Sequence, residues 1–202
     1  MEEYKAETKR TYDKYAQDYA ERKQAYLQKY LLNDITLFIK QLKGKRVLDI
    51  GSGPGRDAAY LKEKGLQVVC IDISPTQVEL CKKKGLEAYE MDFEHLTFEK
   101  RSFDGVWAYT SLLHVPKNRF DVVLCQIRDV LNKNGVVYIG MKEGTFEGFR
   151  EDAHYPGHKR YVAWYTEEEL KEKLMKYFMI VRVSRVEIDE EHKYVNVLCK
   201  VK

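Results

Sequence analysis

Residues 47–57 read Val-Leu-Asp-Ile-Gly-Ser-Gly-Pro-Gly-Arg-Asp, an apolar run that ends in an acid and then three glycines at alternate positions. This predicts a buried strand running into a turn where the backbone passes close to another group, because glycine has no Cβ to obstruct the approach. The spacing narrows what that group is. A dinucleotide fingerprint, G-x-G-x-x-G, needs a third glycine where Arg56 stands, and the phosphate-loop pattern with its Lys-Ser/Thr pair is missing.

Two further apolar runs end in acids. Residues 67–71 lead to Asp72, about twenty residues after the glycines, where an α/β nucleotide site places the carboxylate for the ribose hydroxyls. Residues 86–91 close on Asp92. With Asp49, three strand-like segments thus end in a carboxylate, and in a parallel sheet those ends lie side by side at the ligand-binding edge. Taken singly, each acid also reads as an ordinary cap or turn residue.

The remaining chain continues the alternation. Residues 2–42 read as two helices with Tyr12, Tyr15 and Tyr19 at helical spacing, followed by strands over 46–50, 67–71, 86–91, 103–109 and 136–141. Helices fall near 56–64, after Ser74-Pro75, and over about 118–131, the last closed by Asn134-Gly135. Thr166 to Glu169 forms a capping-box pattern, and the apolar runs 178–188 and 194–201 predict a hairpin. Strands alternating with helices imply a three-layer, Rossmann-like, doubly wound α/β sheet. The reading divides 1–202 as one domain, with a helical cover (1–42), a cofactor-binding core (43–141), a lid (142–165) and a C-terminal helix with β-hairpin (166–202).

The motifs at 47–57, Val-Cys-Ile-Asp-Ile-Ser at 69–74, Met-Asp-Phe at 91–93 and 103–115, together with Tyr-Asp-Lys-Tyr-Ala-Gln-Asp-Tyr at 12–19, resemble the class I S-adenosylmethionine-dependent methyltransferases. The branch resembled is the small-molecule one that includes ubiquinone and menaquinone biosynthesis enzymes. The resemblance implies seven strands in the order 3-2-1-4-5-7-6 with the last antiparallel, and S-adenosylmethionine as cofactor. It places Gly51, Ser52, Gly53 and Gly55 along the methionine and ribose portions and Asp49 near the amino group. Asp72 would take the ribose hydroxyls, Asp92 the adenine amino group, and Ile73 and Phe93 the two faces of the adenine. The carbonyl of Ala108 would face the ammonium, and Tyr12, Tyr19 and Arg22 would reach the carboxylate; Arg56 would pair with the same carboxylate or simply snorkel at the helix start. For the tyrosine row, a core-facing stripe is the equal alternative.

The acceptor side is less specified. His114 follows the fourth strand, where a general base with an ordinary pKa of about 6.5 would serve, although it also reads as a strand cap. Tyr109, His154, His158, Arg160, Tyr161, Trp164 and Tyr165 are candidates for the acceptor wall, with residues 142–165 long enough for a lid. Strand four lacks the Asn/Asp-Pro-Pro-Tyr tetrad expected for base or glutamine amines, and no cysteine stands where a pyrimidine ring would be attacked.

A net charge of +3 leaves no footprint for nucleic acid, so a small-molecule acceptor is favoured. RNA or protein methylation, or a non-catalytic cofactor-binding regulatory module, are the alternatives. The four cysteines are scattered without C-x-x-C spacing, which predicts no metal site and reduced thiols. The N-terminus is charged and no apolar run approaches the ~20 residues of a membrane span. A cytosolic location is expected, with oligomeric state left open.

Overall fold

The structure is a computed structural model that describes residues 1–151 and 154–202. In chain order its strands are β1 (Arg46–Ile50), β2 (Gln67–Asp72), β3 (Glu87–Glu90), β4 (Phe103–Tyr109), β5 (Leu131–Lys142), β6 (Glu147–Glu151), β7 (Lys159–Ala163), β8 (Phe178–Glu187) and β9 (Lys193–Val201). All except β6 and β7 form one sheet in the order β3-β2-β1-β4-β5-β9-β8. The expected order follows once β6 and β7, which pair only with each other, are set aside. Strands β1 to β5 run parallel, while β9 is antiparallel to both β5 and β8.

The apolar runs alternate between two cores because successive strand residues face opposite sides of the sheet. Leu48, Val69, Val106 and Val137 face one side, where α6 (Phe120–Val130) and α7 (Glu167–Met175) bring Val123, Ile127 and Leu170. Val47, Val68, Trp107 and Tyr138 face the other, covered by α3 (Leu32–Gln41), α4 (Arg56–Glu63) and α5 (Pro75–Lys83) through Phe38, Leu61 and Val78. There the Trp107 and Tyr138 rings stack at 4.0 Å.

Helix α5 starts as its sequence predicts, with Pro75 in the first turn and the Ser74 hydroxyl accepting from the Gln77 amide at 3.2 Å. Helix α7 carries the full reciprocal capping box of Thr166 and Glu169. Thr166→Ala is therefore expected to lower stability by about 1 kcal/mol. The urea midpoint measures this; an unchanged midpoint would mean the box contributes nothing.

Three expectations are corrected. Residues 2–42 are not two uninterrupted helices: α1 (Glu3–Lys14) and α2 (Ala16–Arg22) break at Tyr15, and a π-helical turn (Leu27–Leu31) precedes α3. Helix α6 ends at Val130, close to the expected 131, but β5 starts at Leu131 and not at 136, because Leu131 is already extended and pairs with Phe103 of β4. The supposed loop 142–165 contains the β6–β7 hairpin, although its Asp152 and Ala153 lie outside the described residues. Among the described residues, no helix is long and apolar enough to cross a membrane.

Candidate active site

The glycine turn sits at the carboxyl edge of the sheet. Gly51 and Gly53 have φ of +63° and +53°, a region that side chains with a Cβ rarely occupy. At Gly51 a Cβ would also collide with the side chain of Ser111. Asp72 fixes the turn from the next strand: its Oδ2 accepts from the Gly53 amide at 2.9 Å and its Oδ1 from the Ser74 amide at 2.9 Å. Burial raises the Asp72 pKa to about 6, against the pull of those two amides.

Three cavities meet beside this turn. One, of 70 Å³, lies between Gly51, Gly53, Asp72, Ile73, Asp92 and Phe93 below and α1 above. A second, of 380 Å³, runs along Asp49, Ser52 and Arg56. The third, of 270 Å³, is bounded by Trp164, Arg160, His154 and Arg22. Tyr19, Tyr109 and Thr110 border all three. Thr110 is a β-branched residue held at φ +55°, so backbone strain is concentrated at that junction.

Helix α1 is tied across the first cavity. Lys5, which is buried, reaches Asp92 at 2.7 Å and Glu94 at 3.0 Å, and Asp13 accepts from the Ser74 hydroxyl at 2.5 Å. The Thr8 hydroxyl accepts from the Tyr161 amide at 3.1 Å, joining α1 to β7. Burial works against the Lys5 charge, but the two carboxylates overcome it and hold its pKa above the ordinary range.

His114 is half-buried and borders both the first and the third cavity. Its Nδ1 lies 2.7 Å from the Tyr161 carbonyl, which can only accept, so the proton resides on Nδ1 and Nε2 accepts from the Tyr12 hydroxyl at 3.0 Å. Arg160 in turn donates to that hydroxyl. Burial first, and the Arg160 charge second, pull the His114 pKa down to about 3, leaving a neutral imidazole.

The other expected residues fall into place unevenly. Tyr12 and Tyr19 turn inward, their rings edge to face at 5.5 Å, whereas Tyr15 turns away and stacks on Tyr155 at 4.1 Å. Arg56 is held by Asp57 at 2.5 and 2.9 Å, and Arg22 by Asp18 at 2.9 Å and by the Tyr155 hydroxyl. Gly55 packs on Cys81 and Leu86, and Ala108 is buried in β4; neither borders a cavity. Tyr165 belongs to the core, and His158 contacts Tyr15 and Lys14. Reasoning from the sequence missed Lys5, Thr8, Asp57, Thr110 and Ser111, all placed by contacts between distant segments.

Residues 48–139 match the family described as "Methyltransferase domain". Residues 48–139 are thus similar to S-adenosylmethionine-dependent methyltransferase domains. A sarcosine/dimethylglycine N-methyltransferase of Aphanothece halophytica is 36% identical over 85 residues, 38% of this chain and 31% of that protein. A ubiquinone biosynthesis O-methyltransferase of Pasteurella multocida is 26% identical over 124 residues, 54% of this chain and 50% of that one. The chain spans half or less of the length of these curated relatives. The fold of the chain is shared, at a TM-score of 0.79 and 23% identity, with the Burkholderia thailandensis 1,6-didemethyltoxoflavin-N1-methyltransferase. That structure holds 1,6-didemethyltoxoflavin and S-adenosylhomocysteine, and the match covers 99% of this chain and 89% of that one. This match bears out the expected fold class, and the family match over residues 48–139 supports the resemblance.

Proposed function

We propose that the protein transfers the methyl group of S-adenosylmethionine to a small-molecule acceptor by in-line attack. The observation that carries this reading is the junction of the cavities. The cleft lined by Asp72, Ile73, Asp92 and Phe93 meets the 270 Å³ cavity across Tyr12, Tyr19, Tyr109, Thr110 and His114.

The residues fit the cofactor. Asp49 Oδ2 is buried with no hydrogen-bond partner in the described structure, and burial first, Asp57 second, push its pKa well above the carboxylate range. A cationic amino group beside Gly51 would satisfy that carboxylate. Asp72 would accept the ribose hydroxyls, and Ile73 and Phe93 would flank the adenine. Asp92 would receive the adenine amino group; Lys5 holds its Oδ2, and displacing that ammonium would loosen α1 for binding. Gly51, Ser52, Gly53 and Arg56 would line the methionine end, with Tyr19 above it.

S-adenosylmethionine, when bound, supplies an already electrophilic methyl on a sulfonium. The protein's task is alignment and exclusion of water, and holding two reactants in line can lower a barrier by ~7–11 kcal/mol. Tyr12, Tyr19 and Tyr109 would wall the reacting centre and shield its positive charge with their rings. His114, neutral and with Nε2 occupied, would act by positioning the Tyr12 hydroxyl; a proton leaving the acceptor would pass to water.

Incubation with labelled cofactor and metabolite pools should yield methylated small products. Label appearing solely in bulk tRNA or protein would favour the macromolecular alternatives, and no transfer to any pool would contradict the reading.

The site also predicts a pH dependence. Ribose hydroxyls donate to the ionised form of Asp72, so binding is favoured above its pKa of about 6. Affinity for S-adenosylhomocysteine should fall about tenfold per pH unit below that point and level off above it. For the unliganded fold the sign is opposite: a raised carboxyl pKa costs stability as pH rises through the 3.8 to 6 interval. Calorimetry from pH 5 to 8 tests the binding limb, and a flat profile would exclude Asp72 as the titrating partner.

A further inference from the structure

The outer half of the 270 Å³ cavity is walled by cations around one aromatic ring. Lys142 Nζ at the end of β5 lies 4.5 Å from the centroid of the Trp164 ring, and the Arg150 guanidinium from β6 lies 4.9 Å from it. Arg150 stands directly opposite Arg160 in the β6–β7 register. Like charges facing each other across a hairpin destabilise it. Arg160 is engaged inward through Tyr12, which leaves Lys142 and Arg150 as the outward-facing pair.

Neither of these two forms an ion pair among the described residues; each has the Trp164 face as its polar contact. The nearby carboxylates do little to compensate. Glu151 accepts from the Gly157 amide at 2.6 Å, and Asp189 is held by His192 at 2.7 Å. Glu191 borders the cavity and offers a single opposing charge. Burial, then the Arg150 charge, hold the Lys142 pKa below its ordinary range, so this ammonium gains from a counter-ion at its side.

Resting on the methyl-transfer reading, we propose that the acceptor is a small molecule with a flat, aromatic body and an anionic group, carboxylate or phosphate, which seats between Lys142 and Arg150 beside Trp164. The anion neutralises two facing cations, and the guanidinium offers it a bidentate fork. The ring of the acceptor lies against Trp164 and Tyr194, both on the cavity wall. The atom to be methylated then points inward, to the junction at Tyr12, Tyr109 and His114.

Fluorescence of Trp164 tests this, because the other tryptophan, Trp107, is sealed in the core. With saturating S-adenosylhomocysteine present, phenylacetate and phenyl phosphate are titrated against the neutral phenylacetamide and benzyl alcohol. The anions should give a saturable change and bind more tightly than the neutral probes. A Lys142→Gln/Arg150→Gln double variant should weaken them by about tenfold or more while the neutral probes are unmoved. Tighter phenyl phosphate than phenylacetate would assign the group as phosphate, and the reverse as carboxylate. Equal binding of neutral and anionic probes, absence of anion binding, or full retention in the double variant would each overturn the proposal. S-adenosylhomocysteine calorimetry on the same proteins separates the two claims. Failure of that ligand to bind contradicts the methyl-transfer reading, whereas its normal binding with no preference for anions contradicts this one alone.

Discussion

An Asp72→Asn variant is expected to bind S-adenosylhomocysteine about a hundredfold or more weakly than the parent, because hydrogen bonds to a charged acceptor contribute about 1.5–3 kcal/mol each. The carboxylate has two tasks. It accepts from the Gly53 and Ser74 amides, which fixes the turn, and its remaining lone pairs face the cavity. An asparagine offers one oxygen where two are used, and its amide nitrogen would confront one of the backbone N–H groups. Isothermal calorimetry reads the loss directly, with circular dichroism showing whether the sheet persists. Affinity within about threefold of the parent would remove Asp72 from the ligand site.

The second large effect is structural. Asp57 Oδ2 accepts from the Trp107 indole at 3.0 Å while both carboxylate oxygens hold the Arg56 guanidinium. Asp57 and Trp107 are buried and Arg56 nearly so. Asp57→Ala would strand a guanidinium and an indole N–H away from water, and breaking a buried pair in this way costs about 3–5 kcal/mol. Urea denaturation should show that loss, with Asp57→Asn falling between the two. A loss below about 1 kcal/mol would mean that water replaces the carboxylate, and that the pair is not closed off as the structure has it.

How much of this was legible in the sequence depended on the distance over which each interaction acts. The strand at 46–50, the glycine turn and the Ser74 and Thr166 caps are set by residues a few positions apart, and they fold where the pattern puts them. Asp72 was recognisable as a candidate because it stands at a strand's carboxyl end, where the structure has it bordering the first cavity. The register of residues 131–135 was not legible: Asn134-Gly135 is a strong stop signal, but pairing of Leu131 with Phe103 takes the chain into β5 earlier. The β6–β7 hairpin escaped notice because Arg150 and Arg160 obscure the alternation of Phe149, Tyr161 and Val162. Those same arginines contribute to the charge of the 270 Å³ cavity.

Long-range electrostatics were the least visible. Lys5 meets Asp92 across 87 positions, and nothing local distinguishes it from the other lysines of α1. Its ion pairs tie the N-terminal helix to the carboxylate proposed to receive the adenine. His114 shows the converse case: its position after the fourth strand singles it out, yet its neighbours set its state. The Tyr161 carbonyl fixes its tautomer and Tyr12 occupies its free nitrogen, so the geometry supports a positioning role.

The central claim is that the edge formed by Gly51, Gly53, Asp72 and Asp92 holds an adenosyl thioether whose sulfur faces the junction of the three cavities. A crystal structure of the complex with S-adenosylhomocysteine tests it most directly. The account predicts both ribose hydroxyls on the Asp72 carboxylate, the adenine between Ile73 and Phe93 with Lys5 displaced from Asp92, and the sulfur turned toward Tyr109 and Thr110. Ligand bound elsewhere, or a thioether sealed from the cavity lined by Trp164, would contradict it.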